Sequence, residues 1–448
     1  MSNHLIPKKI LSLPFSANNM ALHSLLLVDN GYTVQQSLSL IFSCQNSSFI
    51  QKSINLTTEL VYGFLRTEPR IVFILSYFLK KPGNIPRPMY LLLGLSVYSL
   101  LFLNNLKQYS IIYTVVDSVH YLYDQRLASV ANAVLRSVQR NLVLLQHLEF
   151  YMKFSSSKID ALSIFYGIPL WIVKIWLDDY GFDDCIRLMQ RSLLRPWRCL
   201  RVNALHPDAY RIYNKLLDSG GISIASWGVA FAPGCMPLEV DTIPISQLHN
   251  DGVISYQSAG SQIALDMLHL DAWTQPVWDV CAGFGGKTFT LLEQGIPVKF
   301  CTDLTLSRLS ALPLECQRLH LSQPVVSLAD ASHPPISRWY GHILVDAPCS
   351  GLGVLARRPD IRRRSCNLLS KYVATQKSIL SACLSLLQPG MQLAYITCTL
   401  RKQENDSLIE SLLHKNTDLQ LLVQWQTPHD HPWLEGMYCA LLKKNGGY

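Results

Sequence analysis

The chain has 448 residues, of which 49% are hydrophobic and 16% are charged, so it is long enough for two or three domains and too apolar for a disordered protein. Its twelve cysteines contain no Cys-x-x-Cys pair and no metal-ligand spacing, which argues against a zinc site, and we predict no metal. The formal net charge is +8 and is spread unevenly along the chain.

The cysteines and the apolar runs bear on the cellular compartment. The cysteines lie mostly within apolar segments, so we expect reduced thiols and a cytoplasmic protein. Lys8 and Lys9 precede an apolar stretch, as in a signal peptide, but Pro14 interrupts it and no cleavage site follows. The longest apolar run, Met89 to Leu103, is too short to span a bilayer easily and predicts a buried helix.

The first third of the chain has a helical pattern. From Met20 to about Phe150 apolar residues recur at intervals of three and four, and no convincing strand alternation appears. We predict an all-α domain over residues 1–152. Residues 1–150 hold 12 Lys and Arg against 6 Asp and Glu, and this surplus favours a partner that carries phosphate groups.

The middle of the chain, residues 160–250, is predicted to contain linker helices and a small α+β subdomain. Pro169 to Leu177 has the pattern of an amphipathic helix ending near Gly181, and Trp197 to Asn203 alternates like a strand.

From about Asp251 the pattern alternates between strands and helices. Such alternation predicts a doubly wound, mostly parallel α/β sheet, here a Rossmann-like domain over residues 251–448. The predicted strands are 277–281, 298–302, 325–329, 343–346, 392–397, 419–425 and 437–442.

Two cysteines follow two of these strands. Cys349 belongs to an Asp-Ala-Pro-Cys-Ser-Gly turn that begins at Asp346, and Cys398 follows the strand that ends at Thr397. Ligands of open α/β sheets bind at the carboxyl ends of the strands, so two thiols there indicate chemistry rather than packing.

A glycine-rich loop between Asp279 and Thr288 follows the first of these strands. Its Gly-Lys-Thr end resembles a P-loop, but that motif needs a glycine in place of Cys281. A dinucleotide fingerprint starting at Gly283 would need a glycine in place of Thr288. Because both phosphate-binding motifs fail by one residue, we favour S-adenosyl-L-methionine (SAM), which needs close backbone approach and carboxylates but no anion cradle.

Four successive strands end at or near an aspartate: Asp279, Asp303, Asp330 and Asp346. We expect Asp303 to bind the ribose diol of the cofactor and Asp330 to lie near its adenine. The predicted cofactor-binding residues are Cys281, Ala282, Gly283, Phe284, Gly285, Gly286, Lys287, Asp303, Asp330 and Asp346.

With these motifs the chain resembles the cytosine-C5 RNA methyltransferases, most closely the bacterial 16S ribosomal RNA enzymes of the RsmB (Fmu/Sun) type. The family core Asp-Pro-Cys-Ser-Gly-x-Gly is similar to Asp346 to Gly353, and Tyr-x-Thr-Cys-Ser with a following Glu-Asn-Glu is similar to Tyr395 to Thr399 and Glu404 to Asp406. The helical region is similar to the NusB-like domain of this subgroup, at 60–66 and 130–136.

The chain also departs from the family pattern. Gly283 and Phe284 replace Ala-Pro in the glycine loop, Ser258 stands where an aspartate is usual, Thr399 replaces a serine and Asp406 a glutamate. None of these changes removes a group to which we assign a chemical role.

The expected reaction needs two groups besides the cofactor. Cytosine C5 becomes nucleophilic when a thiolate adds to C6, and a second group must then assist release. Chain order alone leaves open which cysteine has which role. The resemblance implies that Cys398 is the nucleophile and Cys349 assists release. We expect Asp346 to bind cytosine N3 and its amino group, and Lys287 to orient the base or lower a thiol pKa.

Two other functions compete with this hypothesis. One is a DNA cytosine-C5 methyltransferase, although no Glu-Asn-Val element is present and the second cysteine would have no use. The other is a non-catalytic RNA-binding factor of ribosome assembly, which the helical region and the loop departures would allow. Under every reading that involves RNA, we expect two arginine clusters to bind its backbone. They are Arg187, Arg191, Arg195, Arg198 and Arg201, and Arg357, Arg358, Arg362, Arg363 and Arg364.

Overall fold

A computed structural model describes residues 6–43 and 50–446, which fold into two compact units. The first unit reaches to Leu193 and also includes the short segment Arg358–Arg364. The second unit consists of Leu194–Arg357 and Ser365–Tyr448. The predicted boundaries at 152, 160 and 250 stay a proposal.

The described residues of the first unit form helices, as predicted. They are α1 (Lys8–Leu11), α2 (Ala17–Asp29), α3 (Val34–Ser43), α4 (Ile50–Phe78), α5 (Arg87–Phe102), α6 (Gln108–Leu122), α7 (Gln125–Arg140), α8 (Leu142–Leu145), α9 (Leu148–Phe154), α10 (Lys158–Phe165) and α11 (Leu170–Leu193). The apolar run predicted as a buried helix is α5, whose residues from Met89 to Leu101 are buried except Tyr90. A hydrophobic core that includes residues of α2, α4, α5, α6 and α7 lies within this unit.

Helix α11 is interrupted at the glycine where the sequence predicts a helix end. Gly181 has φ 78° and ψ −179°, a conformation that is essentially restricted to glycine. Two helical segments therefore meet at this residue. No single helix in the described part of the chain is long and apolar enough to cross a membrane. Taken together as a bent pair, α10 and α11 have the length and the apolar composition that a membrane span requires.

The second unit begins with a small antiparallel sheet. Its strands are β1 (Arg198–Val202), β2 (Ile222–Ala225), β3 (Gly228–Phe231) and β6 (Ile254–Tyr256), in the order β2-β3-β1-β6. A separate two-stranded ladder joins β4 (Glu239–Val240) and β5 (Ile243–Pro244). Helices α12 (Ala209–Asp218) and α13 (Ile245–Asn250) accompany these strands. The predicted α+β character of this region is confirmed.

The rest of the second unit is built on a seven-stranded sheet in the order β12-β13-β11-β10-β7-β8-β9. All neighbouring pairs from β11 to β9 are parallel, and β13 is antiparallel to both of its neighbours. The strands are β7 (Val277–Asp279), β8 (Val298–Asp303), β9 (Val325–Leu328), β10 (His342–Asp346), β11 (Gln392–Thr397), β12 (Leu419–Gln426) and β13 (Tyr438–Lys444). The seven predicted strands are therefore present, with ends that differ by at most two residues.

Helices cover both faces of this sheet, since parallel strands need crossover connections. They are α14 (Ala259–Asp266), α15 (Gly286–Glu293), α16 (Leu306–Leu309), α17 (Leu312–Leu319), α18 (Leu369–Leu386) and α19 (Asp406–Lys415). One apolar layer contains Phe289 of α15 and Leu312 of α17, and the opposite layer contains Leu380 of α18 and Ile409 of α19.

The order of the strands locates the expected ligand site. The chain proceeds from β7 outward through β8 and β9, then returns to the other side of β7 with β10 and β11. The direction of winding therefore reverses between β7 and β10, and ligands of such sheets bind at the carboxyl ends of the strands beside this switch point.

Candidate active site

Two thiols lie together at the carboxyl ends of neighbouring strands. β10 pairs in parallel with β11, so the loops that follow Asp346 and Thr397 leave the sheet at the same edge. The Sγ atoms of Cys349 and Cys398 are 3.2 Å apart, and both cysteines are free and half-buried. The structure therefore brings together the two cysteines that the sequence singled out.

The surroundings of the two thiols make them unequal. The hydrogen bond from Cys349 and the nearby Lys287 ammonium lower the pKa of Cys398, against burial and the charge of Asp346. The same hydrogen bond, together with burial, raises the pKa of Cys349. The direction of these two shifts favours ionisation of Cys398, and Cys349 then donates the hydrogen bond to the Cys398 thiolate. A thiolate is the nucleophilic form of cysteine.

Lys287 and Asp346 form an ion pair beside the thiols. Lys287 lies in the first turn of α15 and is buried, whereas Asp346 ends β10 and is about one-third exposed. Burial lowers the pKa of Lys287, but the charge of Asp346 and its hydrogen bond outweigh burial and raise it overall. The lysine therefore remains a cation next to Cys398.

Two glycines of the loop between β7 and α15 have left-handed backbone conformations. Gly283 has φ 56° and donates its N–H to Asp303 Oδ2 over 3.0 Å. Gly285 has φ 81°, and a Cβ there would lie 2.4 Å from the buried ring of Phe289. Asp303 also accepts the N–H of Thr305 with its other oxygen, over 2.8 Å. This carboxylate therefore shapes the loop directly.

A cavity of about 620 Å³ opens beside this loop, a size that suits a small-molecule site of roughly 300–1,000 Å³. Six predicted site residues line it: Ala282, Gly283, Phe284, Gly286, Lys287 and Asp346. Cys281, Gly285, Asp303 and Asp330 are not among its lining residues. Asp330 lies beyond the end of β9, is 45% exposed and bonds to the N–H of Ser332, which lowers its pKa.

Asp279 is not among the residues that line this cavity, and its side chain bonds to Thr288 of α15. Its carboxylate is buried, accepts the Thr288 hydroxyl over 2.6 Å with Oδ2, and leaves Oδ1 without a hydrogen bond in the described structure. Burial raises its pKa to about 7. The strand-end aspartates that the sequence grouped together thus divide into one structural carboxylate and others at or near the loop and cavity.

The cavity has further walls that the sequence analysis missed. They are Cys199, Tyr256, Gln257 and Ser261. Arg198 and Arg357, which the sequence analysis assigned to RNA binding, and Ser258, noticed only as a departure from the family, also line it. Apart from Arg357, these residues lie in β1, at or just after the end of β6, or at the start of α14. No local motif marks the four that were missed.

A buried arginine connects β1 to α15. Arg201 forms a two-pronged ion pair with Glu293, with N–O distances of 2.5 and 2.8 Å. It also donates to the Gly286 carbonyl and to the Thr290 hydroxyl. This arginine therefore stabilises the helix that carries Lys287, a role that differs from the predicted binding of RNA.

Most of the second arginine cluster is also engaged inside the protein. Arg362 is buried and donates to the carbonyls of Gly167 and Ser192, so the prediction that it binds RNA backbone is wrong. Burial lowers its pKa to about 9. The neighbouring arginines are held by carboxylates: Arg357 by Glu435, Arg358 by Asp360, and Arg363 by Glu68 and Asp29.

Within residues 6–43 and 50–446, no group of three or more His, Cys, Asp or Glu side chains could hold a metal ion. The chemistry that the site offers is that of a thiolate, a second thiol, an ammonium and a carboxylate beside a cavity.

Comparison with known proteins identifies the family. Residues 267–437 match the family described as 16S rRNA methyltransferase RsmB/F, and residues 16–140 match the NusB family. The chain is 30% identical over 410 residues to the ribosomal RNA small subunit methyltransferase B of Shewanella oneidensis, covering 87% of this chain and 90% of the relative. It is 30% identical over 404 residues to the protein of the same name from Vibrio cholerae, covering 87% and 89%.

A solved structure supports the fold. The crystal structure of PH0851 superimposes with a TM-score of 0.73 over 96% of this chain and 100% of that one, at 20% sequence identity. With the predicted NusB-like helical region and Rossmann-like sheet both confirmed, the chain belongs to the SAM-dependent small-subunit ribosomal RNA methyltransferases of the RsmB type.

Proposed function

We propose that this protein transfers a methyl group from SAM to C5 of a cytosine in small-subunit ribosomal RNA, through a covalent bond between Cys398 and C6 of the base. The observation that carries the proposal is the pair of thiols whose Sγ atoms are 3.2 Å apart, in which the hydrogen bond from Cys349 and the Lys287 ammonium lower the pKa of Cys398. A methyl transfer without a covalent step would need neither thiol.

The residues around the cavity fit SAM. Left-handed glycines allow the backbone to approach a ligand closely, and the Lys287–Asp346 pair borders the same space. We propose that residues 281–287 bind the cofactor, with Asp303 at its ribose and Asp330 near its adenine. When bound, SAM supplies the electrophilic methyl group.

The protein side chains carry the remaining steps. The Cys398 thiolate adds to C6 and forms an S–C bond, and the displaced electron pair makes C5 nucleophilic. Asp346 binds N3 and the amino group of the cytosine, and the Lys287 ammonium favours the thiolate. After C5 has gained the methyl group, a base accepts the C5 proton, the S–C6 bond breaks and Cys398 leaves as a thiolate. Cys349 lies where it can assist this release.

The target cytosine must be unpaired or extruded from a helix to reach such a site. We further propose that the helical region, residues 1–152, binds the RNA. Its match to the NusB family and its surplus of basic residues support this assignment. The cytoplasmic location stays a prediction.

Transfer of tritiated methyl groups tests the proposal. The protein is incubated with tritiated SAM and either unmodified 16S ribosomal RNA or cytosine-containing duplex DNA. We expect label in the RNA, at C5 of cytosine after nucleoside digestion, and none in the DNA. Label in DNA alone would favour a DNA methyltransferase. RNA binding without any transfer would favour a non-catalytic assembly factor.

A further inference from the structure

Two neighbouring residues, Glu404 and Asn405, hold the loops that carry the two cysteines. Glu404 ends the short turn Lys402–Glu404, Asn405 lies between that turn and α19, and both are completely buried. Helix α19 begins at Asp406, so neither side chain belongs to this helix.

Asn405 brackets Cys398. Its Oδ1 accepts the hydroxyl of Thr397, the residue before the cysteine, over 2.7 Å. Its Nδ2 donates to the carbonyl of Thr399, the residue after the cysteine, over 3.0 Å. The peptide that carries Cys398 is thus fixed at both ends by one side chain.

Glu404 brackets Cys349 in the same way, with the help of a glutamine. Its Oε2 accepts the N–H of Ser350, the residue after the cysteine, over 2.9 Å. The same oxygen accepts Gln376 Nε2 over 2.9 Å, and Gln376 donates to the carbonyl of Pro348, the residue before the cysteine, over 3.0 Å. Gln376 belongs to α18 and is completely buried.

A further hydrogen bond joins the two brackets. The hydroxyls of Ser350 and Thr399, which follow the two cysteines, are 2.8 Å apart. The residues next to each cysteine therefore form hydrogen bonds with the loop of the other cysteine, through Ser350 and Thr399, and with the buried side chains of Glu404 and Asn405.

This arrangement has a cost in stability. Glu404 Oε1 and Gln376 Oε1 are buried and accept no hydrogen bond in the described structure, and Arg401 Nη1 lies 3.8 Å from Glu404 Oε1. Burying acceptors without partners is unfavourable, so such groups in a folded protein call for an explanation other than stability.

From these contacts we infer that Glu404, Gln376 and Asn405 are positioning residues that hold the two thiols in register, Asn405 for Cys398 and the Glu404–Gln376 pair for Cys349. The inference rests on the proposed function for the roles of the thiols, but not for their geometry. It predicts that the two brackets can be disabled separately and with opposite consequences.

The first test measures the geometry without any methyl transfer. Phenylarsine oxide condenses with two adjacent thiols to form two As–S bonds and releases one water. We expect the full-length protein to bind it through Cys349 and Cys398, and Cys349→Ser to lose this binding. Gln376→Met and Asn405→Ala should each weaken capture by about tenfold or more, because misplacing reacting groups by about 1 Å costs on the order of a hundredfold. The matched control is Gln388→Met, just beyond the same helix, whose side chain donates to the Leu386 carbonyl.

The second test separates the two brackets. Each variant is incubated with SAM and labelled ribosomal RNA, and the covalent protein–RNA adduct is measured on a denaturing gel. Gln376→Met should accumulate adduct, because its defect falls on Cys349 and release. Asn405→Ala should form little adduct, because its defect falls on Cys398 and attack. If Asn405→Ala does not fold, Asn405→Asp keeps the acceptor of the Thr397 hydroxyl but replaces the donor to Thr399 by a carboxylate oxygen, and it should show the same deficit.

Unchanged arsenical binding and unchanged adduct levels in both variants would overturn the inference, as would equal losses in all steps. If the parent protein transfers no methyl group while arsenical capture still depends on Gln376 and Asn405, the proposed function fails and the positioning role stands.

Discussion

At the scale of single residues, the two cysteines differ in the direction in which their surroundings shift the pKa. Both follow a strand and both are half-buried, but the hydrogen bond from Cys349 and the Lys287 ammonium lower the pKa of Cys398, whereas the pKa of Cys349 is raised. The family resemblance gives Cys398 the nucleophilic role, and the direction of the two pKa shifts agrees with it.

The two cysteines should therefore fail in opposite ways when replaced. Cys398→Ala cannot attack C6, so no protein–RNA adduct should form. Cys349→Ala should still attack and transfer the methyl group, then stall with RNA attached through Cys398. A denaturing gel of each variant incubated with SAM and labelled RNA measures this. An adduct for Cys398→Ala and none for Cys349→Ala would exchange the two roles.

The lowered pKa of Cys398 also predicts a pH dependence. Because an ordinary cysteine has a pKa of about 8.5, alkylation of Cys398 by iodoacetamide should reach half its maximal rate at a lower pH than that. Lys287→Met removes the ammonium that favours the thiolate, so the midpoint should move to higher pH. The site of alkylation is identified by peptide mass spectrometry.

The control for this measurement is Lys299→Met, on an exposed position of β8. It removes one positive charge from the protein, as Lys287→Met does, but leaves the Lys287 ammonium in place. A midpoint that does not differ between Lys287→Met and Lys299→Met would show that Lys287 does not act on Cys398.

At the scale of elements, the glycine loop and a strand-end aspartate are joined by a hydrogen bond. Asp303 ends β8 and holds the Gly283 N–H, so the predicted ribose ligand is also a support of the loop. Asp303→Ala removes charge-assisted hydrogen bonds, each worth about 1.5–3 kcal/mol, and we expect SAM affinity to fall by roughly ten- to a hundredfold. Isothermal calorimetry with the exposed Asp430→Ala as control measures it. Equal affinity in both variants would refute the placement.

The Asp346-to-Gly353 turn depends on a glycine for a reason that the sequence did not suggest. In the structure a Cβ at Gly353 would lie 1.9 Å from the carbonyl oxygen of Gly436, whose N–H bonds to Gly353 O. Gly353 also donates to the Cys398 carbonyl over 3.1 Å. The glycine therefore permits contact between two loops of the protein itself.

Gly353→Ala should consequently disturb both thiol loops. We expect a lower melting temperature and reduced methyl transfer, because backbone atoms cannot yield to the added methyl group as a flexible side chain can. Gly83→Ala is the matched control, since a Cβ there meets no atom within 4 Å. Equal melting temperatures for the two variants would contradict the contact. Differential scanning calorimetry provides the measurement.

The elements themselves were largely predictable, and the reasons are physical. Periodicities of two and of three to four residues mark buried strands and amphipathic helices, so the strands of the large sheet and the helices of the first unit follow from local sequence. The polar contacts were not predictable. Gln376 on α18 meets Glu404 only because of the way the chain folds, and Arg201 reaches Glu293 across a sequence distance that no motif spans.

The arginine clusters are a second case in which the sequence does not show the contacts that the fold creates. A run of cations in sequence predicts a surface that binds phosphates, but burial and acidic partners are properties of the fold. Arg362 is capped by carbonyl groups and Arg363 by two carboxylates, so neither the charge count nor the spacing distinguishes them from solvent-exposed arginines.

At the scale of the whole molecule, the positive charge that remains available lies partly in the helical region. If residues 1–152 bind RNA through its backbone, affinity should fall steeply with salt, with log K decreasing by roughly 0.7 to 0.9 per log unit of salt for each phosphate contact. Fluorescence anisotropy with a ribosomal RNA fragment at several salt concentrations measures the slope. Affinity that does not depend on salt would exclude this mode of binding.

The membership of Arg358–Arg364 in the first unit has a practical consequence for dissecting the protein. A fragment that ends at Leu193 would lose Arg363 and so leave the carboxylates of Glu68 and Asp29 without one of their cations, and it would leave the carbonyls of Gly167 and Ser192 without Arg362. The helical unit is thus discontinuous in sequence: its final piece is synthesised more than a hundred and fifty residues after the rest. During translation the helical unit therefore stays incomplete until residues 194–357, which make up most of the second unit, have been synthesised.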